Sequence, residues 1–348
     1  MTDIELTTQL NEKLLLSELN NTDKVMVLCD TNTHQHCFPL LLQHVPRLTD
    51  AIVEVVEPGE ETKTLVTAER LWQSMQQHQL TRRSLLLNLG GGVVTDLGGF
   101  VAATYRRGIH FINLPTTLLA MVDASVGGKT GLNFLGVKNQ IGVFATPNKI
   151  IINTQFLATL SEAEYYSGLA EMVKHALLTD VDMLKQTLAC QPTDTSTPAF
   201  LQLLQRNIET KQHYVTNDLY DYGIRQALNL GHTFGHAFEA QAMTMQRPIA
   251  HGNAVAWGLL CALYLSVQKH NFPKEWLTIL FQFTRDNYAQ LPFDCSHYDH
   301  LLALMYADKK RVGENVVMTL LSNIGQPQVQ QTVTRNEILA TLDFLREY

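Results

Sequence analysis

The chain has no CxxC pair: its five cysteines, Cys29, Cys37, Cys190, Cys261 and Cys295, are scattered. That argues against a disulfide framework and against a zinc site built from cysteine, and reduced thiols used in packing are expected. A membrane-length apolar run is also missing. The longest candidate, AVAWGLLCALYL from Ala254 to Leu265, falls short of the roughly 20 residues that a spanning helix needs. Positive charge is not in excess, since the formal net charge is −7. A nucleic-acid partner is therefore not expected, and small-molecule chemistry is. The opening MTDIELTTQLNEKLLLSELN is acidic and has no basic stretch leading into an apolar core. It does not read as a secretory leader, so a cytoplasmic location is expected. Internal repeats and low-complexity tracts are absent.

What is present is ample. A length of 348 residues supports one large core or two packed ones. In the first half, KVMVLCD, AIVEVVEP, SLLLNLGGG, HFINLP and KIIINT are compact apolar runs bounded by turn residues, alternating with helical patterns. Such alternation predicts a largely parallel α/β sheet. From about Ser161 the pattern changes to long helical periodicity, as in SEAEYYSGLAEMVKHALLTD, PAFLQLLQRNIETKQHYV and NAVAWGLLCALYLSVQKH. The expected organisation is an α/β N-terminal nucleotide-binding, Rossmann-like domain over 1–160 and an all-α C-terminal domain over 161–348.

Several familiar motifs fail. In LLLNLGGGVVTDLGGF a strand runs into Gly90, Gly91 and Gly92, and a helix is expected to start near Asp96. Glycines there let backbone N–H groups approach a phosphate, but the spacing is not G-x-G-x-x-G. A tight turn without ligand is the bland alternative. Gly128-Lys129-Thr130 resembles the end of a P-loop, yet Asp123 stands where the first glycine is required. What remains is a glycine-rich loop bearing Asp123, Lys129, Lys138 and Asn139, suited to hydroxyl, carboxylate and phosphate groups together. HTFGH lacks the glutamate of H-E-x-x-H. Its i, i+4 spacing puts His232 and His236 on one helix face, so both are candidate zinc ligands together with Glu171 and His251. Alternatively each histidine is a core side chain donating to a carbonyl, and Lys174, three residues after Glu171, is a plain salt-bridge partner.

Taken in order, GGGVVTDLGGF, LPTTLLAMVDASVGGKTGLN, KNQIGVF, SGLAEMVKHA, LNLGHTFGHAFE, HGNAVAWG and DKKR resemble the 3-dehydroquinate synthase family of sugar phosphate cyclases, over roughly Asp30 to Gly313. The resemblance implies a phosphate-eliminating lyase of the shikimate pathway, serving aromatic amino acid biosynthesis, with a site in the cleft between two domains and usually a homodimer. It implies NAD⁺ and a divalent metal, zinc or cobalt. The substrate would be 3-deoxy-D-arabino-heptulosonate 7-phosphate, taken through transient oxidation, β-elimination of phosphate, re-reduction and intramolecular aldol closure. By motif, Glu171, His232 and His251 correspond to metal ligands. NAD⁺ contacts fall on Asp30, Asn32, Glu60, Lys63, Gly91, Gly92, Val93, Asp96, Thr116, Thr117, Lys129, Lys138 and Thr159. Substrate contacts fall on Asp123, Lys129, Asn139, Lys174, Lys211, Arg225, Asn229, His236 and either Lys309 or Lys310. Arg107 would reach the phosphate held by the partner subunit.

Departures from the common family pattern are Thr95 for a glycine, Asn153 for an aspartate, Asn253 for a glutamate, and Leu219 and Tyr220 where charges are usual. Thr95 is expected to crowd a pyrophosphate. Rival readings are a valiolone-type cyclase and an NAD- and metal-dependent polyol dehydrogenase. Asn229 argues for the dehydroquinate reaction, because valiolone-type cyclases tend to carry aspartate there.

Overall fold

The structure, a computed structural model, describes residues 2–135, 137–307, 311–312 and 315–347. Its contacts divide the chain into two compact units, Met1–Ser161 with Thr193–Leu201, and Glu162–Pro192 with Gln202–Tyr348.

The first unit holds strands β1 (Asp3–Thr7), β2 (Val25–Asp30), β3 (Ile52–Val56), β4 (Leu85–Gly90), β5 (His110–Pro115), β6 (Lys129–Phe134), β7 (Val137–Phe144) and β8 (Lys149–Asn153). Helices α1 (Leu16–Asn20), α2 (Thr31–His36), α3 (Phe38–His44), α4 (Leu65–Gln77) and α5 (Gly92–Thr104) lie between them. Six strands form one parallel sheet in the order β1-β8-β5-β4-β2-β3. Every residue of β4 is buried. A parallel strand covered on both faces has no polar side to show, which is why β2, β4, β5 and β8 are legible as continuous apolar runs. Edge strand β1 gives no such signal: its Asp3 and Glu5 sit against the buried Lys149 ammonium at 3.5 and 2.6 Å.

Two expectations are corrected here. Helix α5 begins at Gly92 with Gly91 as its N-cap, four residues before Asp96. The glycine-rich segment after Asp123 is not a loop but an antiparallel hairpin, β6 with β7, in which Gly131 and Gly142 face each other. Inside the sheet Asn88 Nδ2 donates to Asn113 Oδ1 at 2.9 Å. A Cβ on Gly98 would lie 1.9 Å from Asn88 Oδ1, so glycine there lets α5 settle directly on the strand.

The second unit contains α6 (Glu162–Leu177), α7 (Val181–Leu188), most of α8 (Pro198–Asn217), α9 (His232–Thr244), α10 (His251–His270), α11 (Lys274–Asn287), α12 (Tyr298–Ala307) and α13 (Arg335–Glu347). It is helical as expected but not all-α. Strands β9 (Arg311–Val312), β10 (Asn315–Asn323) and β11 (Gln326–Val333) form an antiparallel sheet. Its signal is weak because β11 is glutamine-rich, while β10 buries Val316, Met318, Leu320 and Leu321. The sheet is tied to α10, where Ser266 Oγ accepts from the Leu321 N–H at 2.9 Å. Among the described residues no helix is long and apolar enough to cross a membrane.

Helix α10 makes close approaches through glycine. A Cβ on Gly252 would stand 2.2 Å from Ser167 O in α6, and one on Gly258 would stand 2.2 Å from the carbonyl of Gly231, the N-cap of α9. Gly231 itself has φ 77°, the left-handed region open to glycine. Side chains any larger would hold the three helices apart.

Candidate active site

The close helix contacts of the second unit bring three donors together. Glu171 lies on α6, His232 starts α9 and His251 starts α10. Glu171 Oε1 is 3.3 Å from His232 Nε2 and 3.2 Å from His251 Nε2, and the three ligand atoms lie within 4.8 Å of one another. Glu171 is fully buried, and its Oε2 contacts the equally buried Lys174 ammonium.

The other ring nitrogens define the proton positions. His232 Nδ1 lies 3.1 Å from Leu230 O, a carbonyl that only accepts, so Nδ1 carries the proton and Nε2 presents its lone pair. His251 Nδ1 lies 3.1 Å from Glu239 Oε2. Two imidazole nitrogens and one carboxylate oxygen thus converge on a point with Lys174 behind. Burial alone would raise the Glu171 carboxyl, but Lys174 and the histidines hold it well below the usual range. Burial, then Lys174, pushes His232 down to about 4. Burial would also lower His251, yet the carboxylates of Glu171 and Glu239 lift it to about 10.

His236, one turn beyond His232, is exposed, with its ring centroid 5.4 Å from that of His232 and 6.4 Å from that of His251. Of the remaining candidates in this unit, Lys211 and Arg225 are buried, and Arg225 Nη1 donates to Leu219 O at 2.7 Å. Asn229 carries a buried Nδ2 with no hydrogen-bond acceptor among the described residues. Lys309 and Lys310 lie outside the described residues.

The first unit gathers a different set. The chain leaves β2 toward β3 on one side, while β4 continues to β5 on the other. At such a switch point the carboxyl ends of two neighbouring strands open a crevice for a ligand. Asp30 ends β2, where it caps α2 by accepting from the Thr33 N–H at 2.8 Å, and Asn32 is exposed in the first turn of that helix. Gly90 ends β4, and Gly91, Gly92 and Val93 open α5. A Cβ on Gly91 would come 3.1 Å from Thr117 Cγ2, and one on Gly92 would come 3.1 Å from Ala124 Cβ. Thr116 beside them has a buried hydroxyl without a hydrogen-bond partner among the described residues. Thr95 turns its hydroxyl back onto Gly92 O at 3.1 Å and is buried in its own helix.

Buried Lys63 donates to Asp96 at 2.8 Å, with Glu60 3.8 Å away. Burial raises the Asp96 carboxyl to about 6, against the pull of Lys63. Lys129 opens the hairpin's first strand, while Lys138 and Asn139 lie on its second. Asp123 is half-buried after β5, Thr159 is exposed after β8, and Arg107 is exposed with φ 67°.

Two residues escaped the sequence reading. Glu239 is one, although its place seven residues after His232 puts it on the same helix face. Asn133 is the other: its amide donates to Glu60 O and Oε2 at 3.0 and 2.9 Å, and its Oδ1 accepts from the Asn139 N–H at 3.0 Å. Asn133 ends the TGLN segment, but nothing in its spacing marks it as a clamp.

The profile described as 3-dehydroquinate synthase N-terminal matches residues 53–167, and that described as 3-dehydroquinate synthase C-terminal matches residues 168–311. A 3-dehydroquinate synthase of Parabacteroides distasonis is 44% identical over 326 residues, covering 93% of this chain and 92% of that one. One of Bacillus pumilus is 40% identical over 299 residues, covering 83% and 79%. Among solved structures, 2-epi-5-epi-valiolone synthase from Streptomyces hygroscopicus with NAD⁺ and Zn²⁺ bound superposes with a TM-score of 0.89 at 24% identity, covering 100% of this chain and 97% of that one. A 2-deoxy-scyllo-inosose synthase complexed with carbaglucose-6-phosphate, NAD⁺ and Co²⁺ gives 0.83 at 22%, covering 99% and 96%. At those identities the likeness is one of fold.

Proposed function

The chain belongs to the 3-dehydroquinate synthase family, and from that premise we propose that it converts 3-deoxy-D-arabino-heptulosonate 7-phosphate to 3-dehydroquinate and phosphate, using NAD⁺ and a divalent metal, zinc or cobalt. The observation that carries the metal half is the donor set. His232 Nε2, which presents a lone pair, and His251 Nε2 face the Glu171 carboxylate at 3.3 and 3.2 Å, a set of three donors that a divalent cation can occupy in place of the His251 proton. Three ligands of this kind with an open fourth position suit catalytic zinc. The NAD⁺ half rests on the bare backbone of Gly91 and Gly92 at the start of α5 and on the unpartnered Thr116 hydroxyl, a fit for a pyrophosphate.

When bound, the metal supplies Lewis acidity toward substrate hydroxyls, and the nicotinamide supplies a hydride acceptor that later returns the hydride. The chain's own residues hold one substrate in one conformation, which contributes on the order of 7–11 kcal/mol to such sequences. In this reading Asp123, Lys129, Asn139, Lys174, Lys211, Arg225, Asn229 and His236 bind carboxylate, hydroxyl and phosphate groups. The buried Asn229 amide donor calls for an acceptor of the kind a substrate oxygen provides. Asp30, Asn32, Glu60, Lys63, Asp96, Thr117, Lys138 and Thr159 serve NAD⁺. The protein works in the cytoplasm as a homodimer in which Arg107 reaches the partner's phosphate site.

The test is to incubate purified protein with the heptulosonate phosphate, NAD⁺ and zinc, following phosphate, 3-dehydroquinate and NADH. Stoichiometric phosphate and dehydroquinate without net NADH support the reading. Turnover on sedoheptulose 7-phosphate instead, or net NADH from a polyol, would overturn it.

A further inference from the structure

We infer that Glu239 is a positioning residue for the metal site: it fixes the tautomer of His251 and supplies the negative charge that a divalent ion needs beside Lys174. The inference rests on the metal reading above and goes further into the same site.

The two histidines are oriented by different means. His232 is held by a backbone carbonyl, Leu230 O, at 3.1 Å. His251, whose side chain is 29% exposed, has the Glu239 carboxylate at 3.1 Å on Nδ1. A carboxylate accepts only, so Nδ1 keeps its proton and Nε2 is left to face Glu171. Loss of that acceptor lets His251 adopt the other tautomer or rotate, and the third ligand is no longer preorganised.

Charge gives the second part of the argument. Glu171 and Lys174 form a buried pair of zero net charge, a poor counter-field for a dication. The Glu239 side chain is only 7% exposed, so water screens its charge little. Its place is rigid as well, because α9 and α10 are locked together through Gly231 and Gly258.

The experiment compares the full-length wild type with Glu239→Gln and Glu239→Leu, titrating Co²⁺ and Zn²⁺ against a chelator and recording the visible Co²⁺ spectrum. Gln keeps an acceptor for Nδ1–H but no charge, whereas Leu keeps neither. The expected result is a loss in metal affinity of roughly 10–100-fold for Leu. Gln should lose less and retain the wild-type band, while Leu shifts it. Thermal denaturation of the metal-free proteins verifies folding, and the nearly isosteric Gln variant keeps the comparison decisive if Leu does not fold. Wild-type affinity in Glu239→Leu, or equal losses and shifted bands in both variants, would overturn the assignment. A wild type that binds neither ion refutes the metal reading itself, and this inference falls with it.

Discussion

Replacing Gly252 with alanine tests whether helix spacing makes the metal site. The new Cβ would lie 2.2 Å from Ser167 O, 2.3 Å from Ser167 Cα and 2.6 Å from Ser167 C, all backbone. Ordinary contact begins near 3.4 Å, so α6 and α10 must separate by about 1 Å in a close-packed interior. Two effects compete in stability. Alanine favours a helix over glycine by up to about 1 kcal/mol, whereas overpacking against unyielding atoms costs about 1–3 kcal/mol. The backbone clash wins, and net destabilisation follows. The functional effect is larger, because His251 precedes Gly252 and Glu171 follows Ser167 by one turn. A shift of about 1 Å is twice the roughly 0.5 Å tolerance of a preorganised site. Metal affinity should fall at least about tenfold and turnover about 100-fold, measured by chelator competition and steady-state phosphate release alongside thermal denaturation. An alanine variant that is as stable as wild type and holds metal equally well would refute the spacing argument.

Other outcomes follow from single contacts. Glu171→Gln should lose metal by elemental analysis and lose activity while keeping its helical circular dichroism, with stability reduced by roughly 3–5 kcal/mol because the buried Lys174 charge loses its carboxylate; a metal-replete, active variant contradicts the ligand assignment. Asp96, raised to about 6 by burial against the opposing pull of Lys63, binds a proton in the folded state before the unfolded one does. Its stabilising contribution is therefore full below about 3.8 and is lost as pH rises through about 6. The Tm of metal-free wild type relative to Asp96→Asn should accordingly drop between about pH 4 and about pH 7, and a constant difference would sink the argument. Asn133→Ala releases Glu60 from the hairpin and should raise KM for NAD⁺ about tenfold while changing kcat less; an unchanged KM would show that the clamp does not reach the cofactor.

Much of this protein was legible in its residues. Strands β2, β4, β5 and β8 stood out because burial on both faces leaves an uninterrupted apolar run, and helix α8 because one buried face imposes a helical period. The glycines of GGGVV marked close backbone approach to a phosphate, and Glu171, His232 and His251 were chemically apt donors by residue type alone. Local pattern did not reveal β1 or the β10 and β11 pair, whose apolar content makes sense only beside Lys149 and α10. It left His232 and His236 equivalent, since spacing says which face a side chain is on and not what stands opposite. Tertiary structure decided that His232 Nε2 faces Glu171 while His236 is exposed, that Glu239 accepts from the Nδ1–H of His251, and that Asn133 grips Glu60. The three contacts among these are hydrogen bonds or ion pairs between residues 12 to 73 positions apart, and such contacts exist only after glycine lets the helices and strands close to within a few ångströms.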